Sequence, residues 1–157
     1  MYNMKKYIEV LSPVNGTISN ITENSIQIYI EPIGNHQIYA PISGTVSNIS
    51  NVEGSWTRNI FQTNVNKTGR TEIDITNPII KNPVSLWLEV GKPKYIVDKI
   101  RINITKNDEV KIGELVGEIL LGSLAELHFD NLETIKVVDI GSKVIGHKTI
   151  IAHICYT

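Results

Sequence analysis

A chain of 157 residues with 41% hydrophobic and 20% charged residues can bury about two thirds of its unfolded surface around one core, and is too apolar for intrinsic disorder. Its net charge of −1 and scattered lysines provide no basic stripe, which sets nucleic-acid binding aside. With Cys155 as its one thiol the chain can form no internal disulfide, and a position near the C-terminus, where chains fray, argues against a nucleophilic role for it.

In chain order, residues 1–10 carry Lys5 and Lys6 but no apolar run suited to a signal peptide or a transmembrane segment, so a cytoplasmic location is expected. Ser12-Pro13-Val14-Asn15-Gly16-Thr17-Ile18-Ser19-Asn20-Ile21 then recurs 28 positions later as Ala40-Pro41-Ile42-Ser43-Gly44-Thr45-Val46-Ser47-Asn48-Ile49. Each copy reads as a Pro-x-x-Gly turn feeding a strand, with proline fixing φ and glycine expected to take a backbone angle that other residues resist. Ser25 to Ile30 alternates isoleucine with polar residues, the mark of a half-buried strand, and Lys99 to Ile104 does the same. Between them, residues 50–83 read as long surface loops interrupted by Pro78 and Pro83, with one strand over Thr71 to Thr76. Trp56, Ile60 and Phe61 in that stretch are candidates for lipid contact or for the core. Later, Asp108 to Glu114 and Gly141 to His147 form a second pair of turns, each with an isoleucine before a glycine, which aligns Gly113 with Gly146. Gly117 and Gly122 favour strand with tight bends over helix. No apolar 3.6-residue pattern lasts three turns. The expectation is a mostly β chain, a barrel-sandwich hybrid built from duplicated Pro-x-x-Gly turn and strand modules, forming a single domain over residues 1–157.

Few residues carry a chemical signal by themselves. Gly122-Ser123, in a strand-like run from Leu120 to Phe129, reads alone as a serine satisfying a local backbone group. His36, His128, His147 and His153 lack His-x-His or His-x-x-x-His spacing, so no metal site is expected. No lysine stands between methionines or acids at a hairpin tip, which disfavours a biotinyl or lipoyl carrier. His128 falls between Leu127 and Phe129 in the alternation and should face solvent, while His147 and His153 read as surface or packing residues.

Three segments in order resemble the phosphatidylserine decarboxylases: Ser12-Pro13-Val14-Asn15-Gly16, His36-Gln37-Ile38-Tyr39-Ala40-Pro41 and Leu121-Gly122-Ser123-Leu124. They stand where that family carries Ser-Pro-x-Asp-Gly, His-Arg-x-His-x-Pro and Leu-Gly-Ser-Thr. The likeness runs from about Leu11 to Ala152, with Arg70 to Ile75 similar to the family's Asn-Glu-Arg strand. The resemblance implies self-cleavage between Gly122 and Ser123, giving chains 1–122 and 123–157, and conversion of Ser123 to a pyruvoyl group that needs no external cofactor. It assigns His36 to decarboxylation, implies phosphatidylserine or a smaller amine-bearing acid as substrate, and places the protein peripherally at a membrane. A homo-oligomer paired through an edge strand stays open.

Two departures stand at the positions that would drive cleavage. Asn15 replaces the aspartate, and the corresponding exchange in serine proteases lowers turnover by about 10⁴. Tyr39 replaces the second histidine, the processing base, with a phenol, which as a residue type holds its proton at neutral pH, so a substitute base would have to come from His128, His147 or His153. The alternative is a catalytically inactive relative that keeps the β sandwich as a binding or structural module. The glucose-type IIA phosphotransferase domains share the Pro-x-x-Gly turns, but their paired histidines have no counterpart at Leu88-Glu89-Val90-Gly91, so that likeness is one of fold.

Overall fold

The computed structural model of the chain describes residues 6–30, 36–52, 70–90, 100–119 and 122–157, with the backbone alone described at Val52, Val90, Gly122 and Ser123. Lys99, Trp56, Ile60, Phe61, Leu120 and Leu121 lie outside the described residues. The strands are β1 (Lys6–Leu11), β2 (Gly16–Ile21), β3 (Ser25–Tyr29), β4 (His36–Tyr39), β5 (Gly44–Val52), β6 (Arg70–Thr76), β7 (Val84–Val90), β8 (Ile100–Ile102), β9 (Glu109–Val110), β10 (Leu115–Ile119), β11 (Gly122–His128), β12 (Thr134–Lys136), β13 (Lys143–Val144) and β14 (Ile150–Tyr156). No helix occurs among the described residues.

Eight strands form one sheet in the order β13-β2-β3-β11-β7-β6-β5-β9, which curls into a half barrel, and two three-stranded sheets, β1-β14-β12 and β4-β10-β8, complete the barrel-sandwich hybrid. The large sheet repeats itself from its two ends inward. Val144 of β13 pairs with Gly16, and Val110 of β9 pairs with Gly44. The register of β2 slips between Ile18 and Asn20, that of β5 between Val46 and Asn48, so Ser19 and Ser47 are matching bulge residues. The two proline turns bond to each other reciprocally: Leu11 N donates to Pro41 O at 3.0 Å and Tyr39 N donates to Pro13 O at 2.8 Å. The sequence repeat is therefore a structural pseudo-two-fold.

Two expectations about the turn glycines need correction. Gly16 and Gly44 do not have left-handed backbones. They are required because an added Cβ would lie 2.2 Å from the carbonyl oxygen of Tyr29 and of Thr76, respectively, closer than any side chain tolerates. The later turns also align differently from the Ile-Gly match. Gly113 N donates to Ala40 O and His147 N donates to Ser12 O, each at 2.9 Å, so the partner of Gly113 is His147 and not Gly146. Both residues have positive φ, 82° and 59°.

The core follows from alternation. Across the large sheet, Ile26, Leu127, Leu86 and Ile73 form one buried cross-strand row, while Gln27, Glu126, Trp87 and Glu72 form the adjoining row on the opposite face. Phe129, fully buried, closes the apolar layer past the end of β11. Strand extends through Ser50 to Val52, further than the loop reading of residues 50–83 expected, because β5 pairs with β6 to its end. Cys155 is not in a frayed tail: β14 lies between β1 and β12, and the thiol is buried.

Gly44→Ala should destabilise the fold by at least about 2 kcal/mol, since the new methyl meets backbone and not a movable side chain. Gly16→Ala should match it, and urea midpoints that stay at the wild-type value for either would contradict the crowding described here.

Candidate functional site

The proline turns hold the first group of residues. Ser12 is buried and its hydroxyl donates to Val14 O at 2.7 Å, which closes the first turn on itself. Asn15 Oδ1 accepts a 2.7 Å hydrogen bond from Gly146 N, so the amide that replaces the expected aspartate fixes the backbone of the turn before β14. Gly146 lies against Tyr39, and a Cβ there would come within 2.9 Å of the Tyr39 ring. One residue later the His147 imidazole packs on Tyr39, ring centroids 4.4 Å apart and planes tilted by 57°. The Tyr39 hydroxyl donates to Gln37 Oε1 at 2.5 Å. Asn15 and Tyr39 thus both border Gly146, and the His147 ring lies against Tyr39.

The second group surrounds the Gly-Ser link. Gly122 pairs with Val90 and Leu124 with Glu89, so Ser123 is the extra residue of a β-bulge. Bulges release a residue from the ladder and re-aim it. Tyr29 of β3 is flanked by Thr17 on one side and by Leu124 on the other. The starts of β2 and β11 therefore share one end of the sheet, two strand spacings or about 10 Å apart, and Asn15 and Ser123 both belong to that end. His36 opens β4 opposite Ile119, the last residue of β10, three positions before Gly122. Its Nε2 is buried and has no hydrogen-bond partner among the described residues. An imidazole nitrogen removed from water without a partner carries a desolvation cost.

A third group lies on the outer face of the large sheet. Arg70 stands over the Trp87 ring at 4.2 Å, the His128 ring lies 3.8 Å from Trp87, and His128 Nε2 meets Glu126 Oε2 at 3.1 Å. Gln27 Nε2 donates to the other Glu126 oxygen at 2.7 Å. His128, expected to face solvent, is instead half-buried between Trp87 and Glu126, because four strands of long side chains cover one another there. His153 is half-buried against Tyr7, centroids 5.5 Å apart. No group of three or more His, Cys, Asp or Glu side chains among the described residues could hold a metal ion.

Glu89, opposite Leu124 in this face, has its carboxyl pushed above the ordinary glutamate range by partial burial first and by the Glu126 charge second, with Arg70 opposing. A raised folded-state value favours the protonated form, so this group's contribution to stability is present at low pH and is lost as pH rises through the raised range. Glu89→Gln should therefore be more stable than wild type at neutral pH, with the gap closing on acidification. Urea midpoints measured across that range test the sign.

With the geometry in place, comparison with known proteins gives one match. The family model described as phosphatidylserine decarboxylase matches residues 19–152, well over half of the chain. It covers His36, Tyr39, Ser123 and His147, while Ser12 to Gly16 lies before its first matched residue. No curated protein matches the chain at a significant level.

Proposed function

The chain belongs to the phosphatidylserine decarboxylase family, and we propose that it is a carboxy-lyase converting phosphatidylserine to phosphatidylethanolamine through a pyruvoyl group made from its own Ser123. The observations that carry this reading are the bulge at Ser123 and the buried His36 Nε2, which has no partner among the described residues and sits opposite Ile119, three positions before Gly122 in the chain. A peptide freed from ladder pairing can turn its carbonyl toward a neighbouring hydroxyl, which a regular strand would prevent. Attack of the Ser123 hydroxyl on the Gly122 carbonyl gives an ester and frees the Ser123 nitrogen. Elimination then releases the Gly122 carboxylate, and hydrolysis with loss of ammonia leaves the carbonyl terminus. The products are chains 1–122 and 123–157.

The residues present fit such a group, since His36 offers a buried nitrogen without a partner among the described residues, on β4 opposite the end of β10. A pyruvoyl group supplies an electron sink for loss of the substrate carboxylate. His36 would hold the proton that the substrate carbon takes up once carbon dioxide leaves. A phospholipid substrate implies work at a membrane surface, with the domain on the cytoplasmic side, and no helix among the described residues is long and apolar enough to cross one. Pairing of two copies through an edge strand such as β1, β8 or β12 is compatible with this layout.

A second reading has its own support. The Asn15 oxygen and the Tyr39 hydroxyl are both engaged by neighbours, Gly146 and Gln37, in bonds that hold the turns together. A chain using both positions for structure would remain whole and serve as a binding or structural module.

Intact mass of the purified protein separates the two. The decarboxylase should show a break before Ser123 and a terminus that reacts with hydroxylamine, and Ser123→Ala should show neither. In the combined variant Asn15→Asp with Tyr39→His, cleavage should quicken by about 10²-fold or more. His36→Ala should still be cut but lose about 10² to 10⁴ in turnover of phosphatidylserine. A wild-type chain that stays whole through long incubation leaves only the module.

A further inference from the structure

Asn15 is the one asparagine of this chain that precedes a glycine. Glycine at the next position leaves the following nitrogen open to the side-chain amide carbon, because no Cβ crowds the approach and the backbone is free to turn toward it. By contrast Asn20, Asn48 and Asn103 each precede an isoleucine, whose branched side chain shields the nitrogen. Glycine is also fixed at position 16 by packing, since an added Cβ would lie 2.2 Å from Tyr29 O. The fold therefore requires the glycine half of this reactive pair.

The surroundings favour reaction at the Asn15 amide carbon. Asn15 is exposed to water, and its Oδ1 accepts the 2.7 Å hydrogen bond from Gly146 N. When a nucleophile adds to that carbon, negative charge gathers on this oxygen, where a backbone N–H already stands to receive it. Gly16 begins β2 and pairs with Val144 of β13, a two-residue strand at the outer end of the large sheet. A strand of that length at a sheet edge opens more readily than an interior one, which frees the Gly16 nitrogen. The pseudo-symmetric turn shows what the fold needs at this place: Ser43 Oγ accepts from Ile112 N at 2.8 Å, as Asn15 Oδ1 does from Gly146 N. An acceptor oxygen suffices, and the amide nitrogen is dispensable. A carboxylate would keep the bond and make it charge-assisted.

We propose that Asn15 is a self-modification site, converted by way of the Gly16 nitrogen into aspartate, the residue type that the decarboxylases carry there. Covalent connection alone keeps the two reacting atoms close, so the ring closes within one molecule. The Gly16 nitrogen bonds to the Asn15 amide carbon, the bond from that carbon to Nδ2 breaks, and the amide nitrogen leaves as ammonia with the Gly16 proton. Water then adds to the side-chain carbonyl of the cyclic imide, the bond to the Gly16 nitrogen breaks, and that nitrogen regains a proton while a carboxylate remains. Solvent water is the only further reactant. The consequence for the Gly122–Ser123 link rests on the decarboxylase reading: opening is slow in new protein and quickens as the carboxylate accumulates.

Peptide mapping of the full-length protein, freshly purified and after long incubation at neutral pH, tests this. Asn15 should gain about 1 Da, or about 3 Da in water enriched in heavy oxygen, with fragmentation showing an ordinary aspartyl linkage. Asn20 and Asn103, both exposed, should not change over the same period. Asn15→Gln, whose longer side chain closes a ring far less readily, should stay unmodified. An Asn15 that persists, or that yields only the β-linked isomer, overturns the proposal. Asn15→Asp should melt no lower than wild type and be cut at least about 10-fold faster than Asn15→Gln. Equal cutting of these two variants overturns the activating role. A chain that is modified but never cut, even as Asn15→Asp, removes the decarboxylase reading and leaves the modification standing.

Discussion

The carbonyl oxygens of Tyr29 and Thr76 occupy the space where side chains at positions 16 and 44 would stand, and this crowding organises the domain. Because β2 and β5 begin on bare glycines, each can press against its neighbour at the first residue of the strand. The short strands β13 and β9 then find their partners at those same glycines. The preceding prolines are brought close enough for Leu11 N to donate to Pro41 O and Tyr39 N to donate to Pro13 O across the pseudo-two-fold. Each such bond contributes only about 1 kcal/mol net, but together they decide where β4 lies. The position of β4 in turn sets His36 and Tyr39.

The duplication leaves two geometrically related turns that have diverged in content. One pairs Ala40 with Gly113, and the other pairs Ser12 with His147. A symmetric scaffold gives two equivalent niches, and the second niche alone received an imidazole, an amide at Asn15 and an aromatic ring from β4. In this cluster the Asn15 oxygen and the Tyr39 hydroxyl are each hydrogen-bonded, whereas His36, on the same strand as Tyr39, has a buried Nε2 with no partner among the described residues.

The outer face of the large sheet tells a related story about charge. Glu126, Glu89, Glu72, Arg70 and His128 gather around Trp87 because antiparallel register stacks every second residue of three strands on one side. The arginine over the indole and the histidine beside it shield one another, and Glu89 takes up the remaining cost as a carboxyl shifted toward its neutral form. This face borders the bulge at Ser123, yet its polar partners are turned to one another.

Period-two alternation in Ser25 to Ile30 and the 28-residue repeat were sufficient by themselves to specify strands and a duplicated sandwich, because side-chain alternation and Pro-x-x-Gly chemistry are local properties, while the family came from the resemblance of three motifs in order. Order along the chain also marked Asn15, His36, Tyr39 and Ser123. What local pattern could not contain was contact across the fold. Matching Ile112-Gly113 to Ile145-Gly146 by eye set the register one residue away from the hydrogen-bonded one, and so concealed that His147 occupies the place of a glycine. Likewise His128 had to be read as solvent-facing until the neighbouring strand β7 laid Trp87 on its ring, beside Glu126 of its own strand. The bulge that frees Ser123 arises from pairing with β7, some thirty residues earlier, and tertiary structure alone supplies that partner.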